Sequence, residues 1–334
     1  MPDPSAAASA PLRTGLYGAI DLGGTNVRAI VADLDGNIRG DDKRRSRAGE
    51  GPEVTIGTLL DSLAHACSDA DVAPSTLAGL GIATPGWVDS EKGVVPAAPQ
   101  LIGWRDVPIV RMLEERLGIP VRLENDANAA ALGENTYGAG RGTKHMVYIT
   151  VSTGIGAGII AEGRLYGGAR GSAGELGHTI VDPDGPPCGC GNRGCLESLS
   201  SGTAIARSAA EAATDGRSPA LAEVKQREGR ISARLVAEAA RAGDGTAIRI
   251  YEEAGHYLGI ALANVVNLLS PEAIVLGGGV MLSKNLFLDT AERTMREMAL
   301  EEPLKYVRLV AAELGDHAGS LGMIARLGEM AAPR

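Results

Sequence analysis

The chain has 334 residues, which is long enough for two domains that each bury a core. Its 41 acidic and 32 basic residues give a net charge of −9, which argues against a protein that binds nucleic acid through overall charge. The composition is 44% hydrophobic, but no apolar run approaches the length needed to span a bilayer, which argues against a membrane protein.

The N-terminal residues are rich in Ala, Pro and Ser, and they lack the basic start and the leucine-rich segment of a secretory signal. We expect residues 1–15 to be the disordered tail of a cytoplasmic protein. Four cysteines in so long a chain do not predict a disulfide scaffold, and Cys67 has the character of a small buried apolar residue.

Ordered structure is predicted to begin with two apolar runs, Tyr17–Ile20 and Val27–Ala32, which the turn sequence DLGGTN joins into a β-hairpin. The glycine pair in this turn either serves turn geometry alone or lets backbone N–H groups approach a phosphate. In the second case two side-chain donors follow the glycines, and an aspartate precedes them where it could bind Mg²⁺ or its waters. The residues concerned are Asp21, Gly23, Gly24, Thr25 and Asn26.

Periodic apolar residues and turn signals predict the next elements. They are a helix over 53–70, a buried strand that ends in a turn at Pro85-Gly86, a short helix over 108–117, and a strand that meets a helix at Asn125-Asp126. Residues 146–163 then repeat the opening hairpin, with a turn that contains Thr153, Gly154 and Gly156. This internal echo predicts two related halves, although two unrelated hairpins would also explain it.

A turn-rich loop between Glu175 and Glu197 holds one histidine and three cysteines. Three thiolates and one imidazole form the closed tetrahedral ligand set of a structural zinc, and the spacing C-x-C-x4-C brings the sulfurs to one point. A redox thiol cluster is the weaker alternative, because this spacing differs from the C-x-x-C of thioredoxin-like sites. The four predicted metal ligands are His178, Cys188, Cys190 and Cys195.

The remainder of the chain is predicted to be mostly helical. We expect helices over 196–213, 231–242 and 246–269, a loop over 216–230, a strand that enters three glycines at 273–280, and an amphipathic helix over 319–328. The sequence GCGNRG at 189–194 matches a dinucleotide-loop pattern, but it does not follow a strand, and the chain has no Walker A motif. Both of these nucleotide-loop classes are therefore excluded.

Six motifs occur in the order seen in the ROK family of sugar kinases, and together they resemble ROK glucokinases from Leu16 to the C-terminus. They are DLGGTN, ENDANAAALGE, STGIG, GELGH, CGCGNRGCLE and LGGG. The resemblance implies an α/β protein of the actin-like, hexokinase-type ATPase fold, with two α/β lobes and a cleft between them. It implies a small domain over 16–124, to which a C-terminal helix at 319–334 returns, and a large domain over 125–318 with a zinc-binding loop at 178–195.

By the same resemblance the protein phosphorylates glucose at the 6-hydroxyl, and its cofactors are ATP, Mg²⁺ and a structural Zn²⁺. The DLGGTN and STGIG turns correspond to the two phosphate loops of the family. The glycines that lie beside the adenosine in relatives are here Gly277, Gly278 and Gly279. The implied sugar-binding residues are Gly86, Asn125, Asp126, Glu175, His178 and Glu197. His178 would bind zinc through one ring nitrogen and the sugar through the other.

Asp126 is the predicted general base, which would take the proton of the 6-hydroxyl as that oxygen attacks the γ-phosphorus. A cap on the following helix is the competing interpretation of this aspartate. Glu175 and Glu197 could likewise be surface charges, although both flank the metal loop. Gln100 stands where relatives often have asparagine, and this difference could shift the sugar preference.

Several alternatives stay open within this resemblance. The substrate could be N-acetylmannosamine, N-acetylglucosamine, fructose or mannose, and the donor could be polyphosphate. A sugar-responsive repressor is less favoured, because such repressors carry a helix-turn-helix domain and only about fifteen residues precede the first phosphate loop here. A non-catalytic sugar sensor is less favoured because Asp126 and both phosphate loops are intact. Relatives also imply a homodimer or homotetramer that binds a small sugar. The net charge and the short apolar runs predict that it binds neither nucleic acid nor membrane.

Overall fold

The computed structural model describes residues 15–331. The strands are β1 (Tyr17–Leu22), β2 (Asn26–Ala32), β3 (Ile38–Arg45), β4 (Leu80–Thr84), β5 (Trp87–Asp89), β6 (Val94–Ala97), β7 (Arg105–Val107), β8 (Val121–Asn125), β9 (Met146–Val151), β10 (Ile155–Ala161), β11 (Arg164–Leu165), β12 (Ala273–Gly277) and β13 (Arg308–Ala311). The helices are α1 (Pro52–Asp69), α2 (Ile109–Leu117), α3 (Asp126–Thr136), α4 (Leu196–Ser200), α5 (Gly202–Thr214), α6 (Pro219–Glu228), α7 (Ala233–Arg241), α8 (Gly245–Leu269), α9 (Leu288–Met298), α10 (Glu301–Leu304) and α11 (Ala318–Ala331).

The two chain ends are covered only in part. The expected disordered tail at 1–15 lies outside the described residues apart from Gly15, and so do the last residues of the C-terminal helix expected at 319–334. Across residues 15–331, no helix combines the length and the hydropathy that crossing a bilayer requires.

The described residues divide into two units, of which the first takes those up to Arg141, the segment Gly167–Ser172 and those from Asp316 onward. Its larger sheet has the order β3-β2-β1-β4-β8. Strands β1 and β3 each run antiparallel to β2, whereas β1, β4 and β8 run parallel. Apolar side chains of this sheet and of α1, such as Ile20 and Leu59, share one core. A small antiparallel sheet, β5-β6-β7, belongs to the same unit.

The second unit comprises Gly142–Tyr166 and Ala173–Gly315. Its sheet has the order β11-β10-β9-β12-β13, in which β9 and β11 run antiparallel to β10, whereas β9, β12 and β13 run parallel. Strand for strand, this is the arrangement of the first sheet. The echo predicted from two hairpins is therefore confirmed, and it extends to both five-stranded sheets. A separate core that includes Ile149 and Leu258 lies in this unit.

The C-terminal helix α11 packs against α3 with almost no side chain between the two backbones. A Cβ added at Gly322 would lie 1.6 Å from the carbonyl oxygen of Ala129, and one added at Gly133 would lie 2.3 Å from that of Ala318. Only glycine permits this approach, which ties α3 to a helix of the first unit. The first unit therefore continues to Arg141, past the boundary expected after residue 124.

The predicted loop over 216–230 is wrong, because this segment contains helix α6. The Ser218 hydroxyl caps the helix by accepting the N–H of Leu221 at 3.0 Å, and Gly229 ends it with a φ of 70°. Leu221 is fully buried while most neighbouring residues are exposed, so a single apolar anchor replaces the periodic stripe by which helices are predicted. Helix α9, strand β13 and the three short strands β5, β6 and β7 also lie outside the predicted elements.

We expect Gly322→Ala to lower the free energy of unfolding by about 1–3 kcal/mol, because the added methyl group cannot fit against α3. The matched control is Gly328→Ala on the same helix, where a Cβ would lie 3.5 Å from Leu34 Cδ2 in ordinary contact. The control should be neutral or stabilising, because alanine favours helices more than glycine does. Urea unfolding of both variants measures the difference, and equal stabilities would contradict the close packing of α3 and α11.

Candidate active site

The junction between β8 and α3 places Asn125 and Asp126 at the first turn of a helix. The Oδ1 atom of Asn125 accepts the N–H groups of Ala127 at 2.9 Å and Asn128 at 3.2 Å, which makes Asn125 the N-cap. Asp126 is the first helical residue, and its Oδ1 accepts the Ala127 N–H at 2.9 Å. The interpretation of Asp126 as the helix cap is therefore wrong, since the preceding asparagine fills that role.

The turn at Gly86 is hydrogen-bonded to this junction. Asn125 Nδ2 donates to the Gly86 carbonyl oxygen at 3.2 Å. Gly86 has a φ of 92°, and a Cβ there would lie 2.5 Å from the carbonyl oxygen of Ala97, so no other residue fits without moving the chain. Three of the predicted sugar-binding residues, Gly86, Asn125 and Asp126, are thus held together.

Asp21, in strand β1, interacts electrostatically with Asp126 at this junction. Burial above all, and then the nearby carboxylates of Asp126 and Asp316, raise the pKa of Asp21 to about 7 against the opposing charge of Arg28. Arg28 lies directly across from Asp21 in the pairing of β1 with β2. Asp316 is ion-paired with Lys43 at 2.5 Å and lies 3.7 Å from Arg28, whereas Asp21 and Asp126 offer carboxylate oxygens, the ligands that a divalent cation prefers.

The first glycine turn is short and mostly exposed. The Gly23 N–H donates to the Asn26 carbonyl oxygen at 2.8 Å, which closes the turn, while Thr25 and Asn26 are exposed. A Cβ at Gly24 would lie 3.7 Å from the Cβ of Gln100, so the residue that departs from the family pattern lies beside this turn. The predicted phosphate-binding groups and Gln100 therefore form one surface of the first unit.

In the second unit the STGIG turn is bound to Glu197. The Ile155 N–H donates to Glu197 Oε2 at 2.9 Å, and a Cβ at Gly154 would lie 2.3 Å from the same oxygen. On the other side of the turn, the Thr203 hydroxyl donates to the Thr153 carbonyl oxygen at 2.7 Å. Glu197 is half-buried and hydrogen-bonded, so its interpretation as a surface charge is wrong.

The three glycines of the LGGG motif lie against the end of β9, next to this turn. A Cβ at Gly277 would lie 2.4 Å from the Tyr148 hydroxyl oxygen, and one at Gly278 would lie 2.4 Å from the Val151 carbonyl oxygen. At Gly279 the nearest atom to such a Cβ would be Ser152 Oγ at 3.8 Å. Gly156 is in the adjacent strand, paired with Thr150 of β9. The nucleotide-binding residues predicted in this unit are thus brought together.

The GELGH segment lies directly on β10. A Cβ at Gly174 would lie 2.3 Å from the carbonyl oxygen of Ala157, and one at Gly177 would lie 2.1 Å from that of Ile155. These contacts place the backbone of Glu175 and His178 beside the residue whose N–H binds Glu197. Glu175 is exposed and His178 is half-buried.

The histidine and three cysteines predicted to bind metal converge on one point. His178 Nδ1 lies 3.7 Å from Cys188 Sγ, Cys190 Sγ lies 3.6 Å from Cys195 Sγ, and all four ligand atoms are within 4.8 Å of one another. A tetrahedron with metal–sulfur bonds of about 2.3 Å has edges of about 3.7 Å, so the group could hold a metal ion. All three thiols are free of disulfide bonds.

Two polar groups of the first unit escaped prediction. Glu124 is buried and accepts the Asn125 N–H at 3.0 Å, although its place inside the ENDAN motif could have pointed to it. Arg28 donates a hydrogen bond to Asp41. Its guanidinium also lies 2.7 Å from Nε2 of His317, the residue before α11. Counting the hairpin register from its turn would have placed Arg28 opposite Asp21.

Comparison with known proteins assigns the family. The ROK family model matches residues 17–328. A glucokinase of Halalkalibacterium halodurans is 38% identical over 307 residues, 92% of this chain and 93% of that protein. A xylose repressor of Bacillus subtilis is 31% identical over 311 residues, 93% of this chain and 76% of that protein.

Solved structures agree. The crystal structure of a ROK family glucokinase from Streptomyces griseus in complex with glucose and AMPPNP is 36% identical, with a TM-score of 0.80, and the match covers 94% of this chain and 99% of that one. A ROK hexokinase from Thermus thermophilus is also 36% identical, with a TM-score of 0.77, and the match covers 95% of this chain and 100% of that one. The chain therefore belongs to the ROK family and has its hexokinase-type α/β fold.

Proposed function

We propose that this protein transfers the γ-phosphoryl group of ATP to the 6-hydroxyl of glucose. The observation that carries the proposal is the position of Asp126, which begins α3 next to the Asn125 cap and interacts electrostatically with Asp21. The glucokinase that is 38% identical supports glucose as the substrate, and the related glucokinase that binds glucose and AMPPNP supports ATP as the donor.

Asp126 is the proposed general base. Its carboxylate takes the proton of the 6-hydroxyl while O6 forms a bond to the γ-phosphorus and the bond from that phosphorus to the β,γ-bridging oxygen breaks. The products are glucose 6-phosphate and ADP, and the proton passes from Asp126 to solvent. The hydrogen bond from the Ala127 N–H orients the carboxylate for this step.

The nucleotide is proposed to bind the backbone N–H groups of the two glycine turns, where no bulky side chain blocks approach. Mg²⁺, when bound, neutralises the phosphate charge that develops during transfer, and the carboxylate-rich surroundings of Asp21 fit such an ion or its waters. The proposed nucleotide-site residues are Asp21, Gly23, Gly24, Thr25, Asn26, Thr153, Gly154, Gly156, Gly277, Gly278 and Gly279.

Sugar binding is proposed to use hydrogen bonds, because glucose is uncharged. Carboxylates accept from more than one hydroxyl at once, and a histidine whose Nδ1 binds the metal among the thiols keeps its Nε2 N–H to donate. The proposed sugar-binding residues are Gly86, Asn125 and Asp126 in the first unit and Glu175, His178 and Glu197 in the second.

The metal in the Cys₃His group is proposed to be a structural zinc. Three sulfur atoms and one nitrogen at these separations fit Zn²⁺, and four protein ligands leave no position for a reacting water. When bound, Zn²⁺ would offset most of the charge of the three thiolates and hold the loop from which His178 and Glu197 extend.

We also propose that the protein acts in the cytoplasm, in glycolysis, as a homodimer or homotetramer. Free thiols beside one another support a reducing compartment. Leu268, Leu282 and Leu300 in the second unit are exposed, and such apolar side chains would be available for self-association.

The function is tested with a panel of sugars and donors in a coupled assay. We expect ATP with glucose to give the highest kcat/KM, above mannose, fructose, N-acetylglucosamine and N-acetylmannosamine, and polyphosphate to be a poor donor.

Asp126→Asn should lower kcat by roughly 10²–10⁴-fold, because the amide cannot take the proton. Thermal unfolding shows whether the variant remains folded. Binding of glucose or xylose without any phosphorylation would instead favour a sugar sensor.

Zinc is tested by elemental analysis of the purified protein. We expect one zinc per chain in the wild type and none in Cys190→Ala, with a lower melting temperature and a rise of about tenfold in the KM for glucose, the size of one lost hydrogen bond. Cys67→Ala is the matched control, since Cys67 is buried in the first core, away from the cluster. If the metal-free variant kept the wild-type KM and melting temperature, zinc would have no bracing role.

Asp21 should destabilise the metal-free protein at neutral pH. Its folded-state pKa of about 7 lies above the unfolded value of about 3.9, so the unfolded chain binds fewer protons in this window and stability falls as pH rises from 4 to 7. Asp21→Asn removes this effect. We expect the melting temperature of the variant to exceed that of the wild type, by a margin that grows from pH 5 to 7 and then levels off.

Asp89→Asn is the control, because the pKa of Asp89 is lowered by hydrogen bonds from Lys92, whereas the pKa of Asp21 is raised. This variant should not gain stability at pH 7.5. A margin for Asp21→Asn that does not change with pH would show that Asp21 titrates normally. Melting curves from pH 4.5 to 8 in EDTA measure both variants, and the coupled assay should show that Asp21→Asn has lost most of its kinase activity.

A further inference from the structure

A buried carboxylate that the proposed chemistry does not use lies immediately before the candidate catalytic residues. Glu124 is 5% exposed, and it lies opposite Ala83 where β8 pairs with β4. Its Oε1 atom accepts the Asn125 N–H at 3.0 Å and the Asn128 Nδ2 at 3.1 Å. A buried carboxylate is costly unless its hydrogen bonds are made, so its presence here calls for a reason.

These contacts close a ring of hydrogen bonds around the junction. Asn125 Oδ1 accepts the Asn128 N–H at 3.2 Å, while the Asn128 side chain returns to Glu124. The ring therefore runs from Glu124 to Asn125, on to Asn128 and back. Asp126 lies inside it, between Asn125 and Asn128 in the chain, so the ring fixes the backbone on both sides of the proposed base.

The second carboxylate oxygen of Glu124 faces a cation from the C-terminal helix. Arg326 Nε on α11 lies 3.9 Å from Glu124 Oε2. Asn128 is 2% exposed, and its Oδ1 has no hydrogen-bond partner, which shows that this amide is held by its donor side alone. The bond from Asn128 to Glu124 is thus the polar contact that its buried side chain makes through Nδ2.

We infer that Glu124 is a positioning residue for phosphoryl transfer, which acts by holding Asp126 in line with the substrate hydroxyl. The inference rests on the proposed role of Asp126 as general base. Displacement of a catalytic group by about 1 Å costs up to roughly 10²-fold in rate, whereas binding of the remote nucleotide is little affected. Loss of the ring should therefore appear in kcat rather than in the KM for ATP.

The experiment is a double-mutant cycle in the full-length protein. Glu124→Ala should lower kcat about 10- to 100-fold and leave the KM for ATP within about twofold. Glu124→Gln keeps an oxygen that accepts both ring hydrogen bonds and loses only the charge facing Arg326, so it should restore kcat to within about threefold of wild type. In an Asp126→Asn background, Glu124→Ala should change the residual kcat by less than about twofold, because no base remains to be positioned.

Glu114→Ala is the matched control, because Glu114 Oε1 accepts the Val121 N–H at 3.0 Å at the opposite end of the same strand. It removes a carboxylate-to-backbone bond of β8 and should leave kcat unchanged. Asn128→Leu breaks the bond between Asn128 and Glu124 and also removes the unpartnered oxygen. It should lower kcat as Glu124→Ala does, and it tests the inference if Glu124→Ala fails to fold.

The outcomes separate the inference from the function on which it rests. Equal losses from Glu124→Ala in the wild-type and Asp126→Asn backgrounds would show a general structural role and overturn the inference while leaving the kinase proposal intact. The same loss in Glu114→Ala would also overturn it. A near-normal kcat in Asp126→Asn alone would remove the proposed base, and the positioning role with it.

Discussion

The hydrogen bonds of the Asn125 side chain are the constraint on which the candidate site of the first unit depends. By capping α3, Asn125 decides that the next residue is the first helical one, and that residue is Asp126. Its amide also reaches the Gly86 carbonyl, so a single side chain sets both the start of the helix and the position of a neighbouring turn. The glycine contacts between α3 and α11 then fix where the axis of this helix lies.

In the second unit, the backbone of Ile155 holds neighbouring segments together as the Asn125 side chain does in the first. Its N–H binds Glu197, and its carbonyl oxygen lies where a side chain on Gly177 would otherwise be. The STGIG turn, the segment that carries His178 and the helix that follows the cysteines therefore meet at one residue. A distortion of the cysteine loop would reach the turn proposed to bind phosphate through only two contacts. These contacts are the route by which the proposed zinc would affect the reaction.

Much of this could be predicted from the sequence. Both hairpins and the strand-to-helix junction at Asn125 are local patterns of glycine and apolar runs, and the structure confirms them. The closely spaced ligands predicted to bind metal are brought within 4.8 Å of one another. The periodicity of apolar residues could not predict helix α6, because this helix buries one leucine. It could not predict the boundary between the two units at Arg141 either. That boundary depends on contact between α3 and α11, and backbone approach at glycines leaves no periodic signal.

The electrostatics of the site could not be predicted for a related reason. The raised pKa of Asp21 depends on burial and on Asp126 and Asp316, so that three carboxylates from distant parts of the chain are involved. Only strand register and the return of α11 bring these carboxylates together, and neither follows from composition. Asp316 is paired with Lys43 and Arg28, whereas the repulsion between Asp21 and Asp126 supports the proposed Mg²⁺, since a bound cation would reduce it.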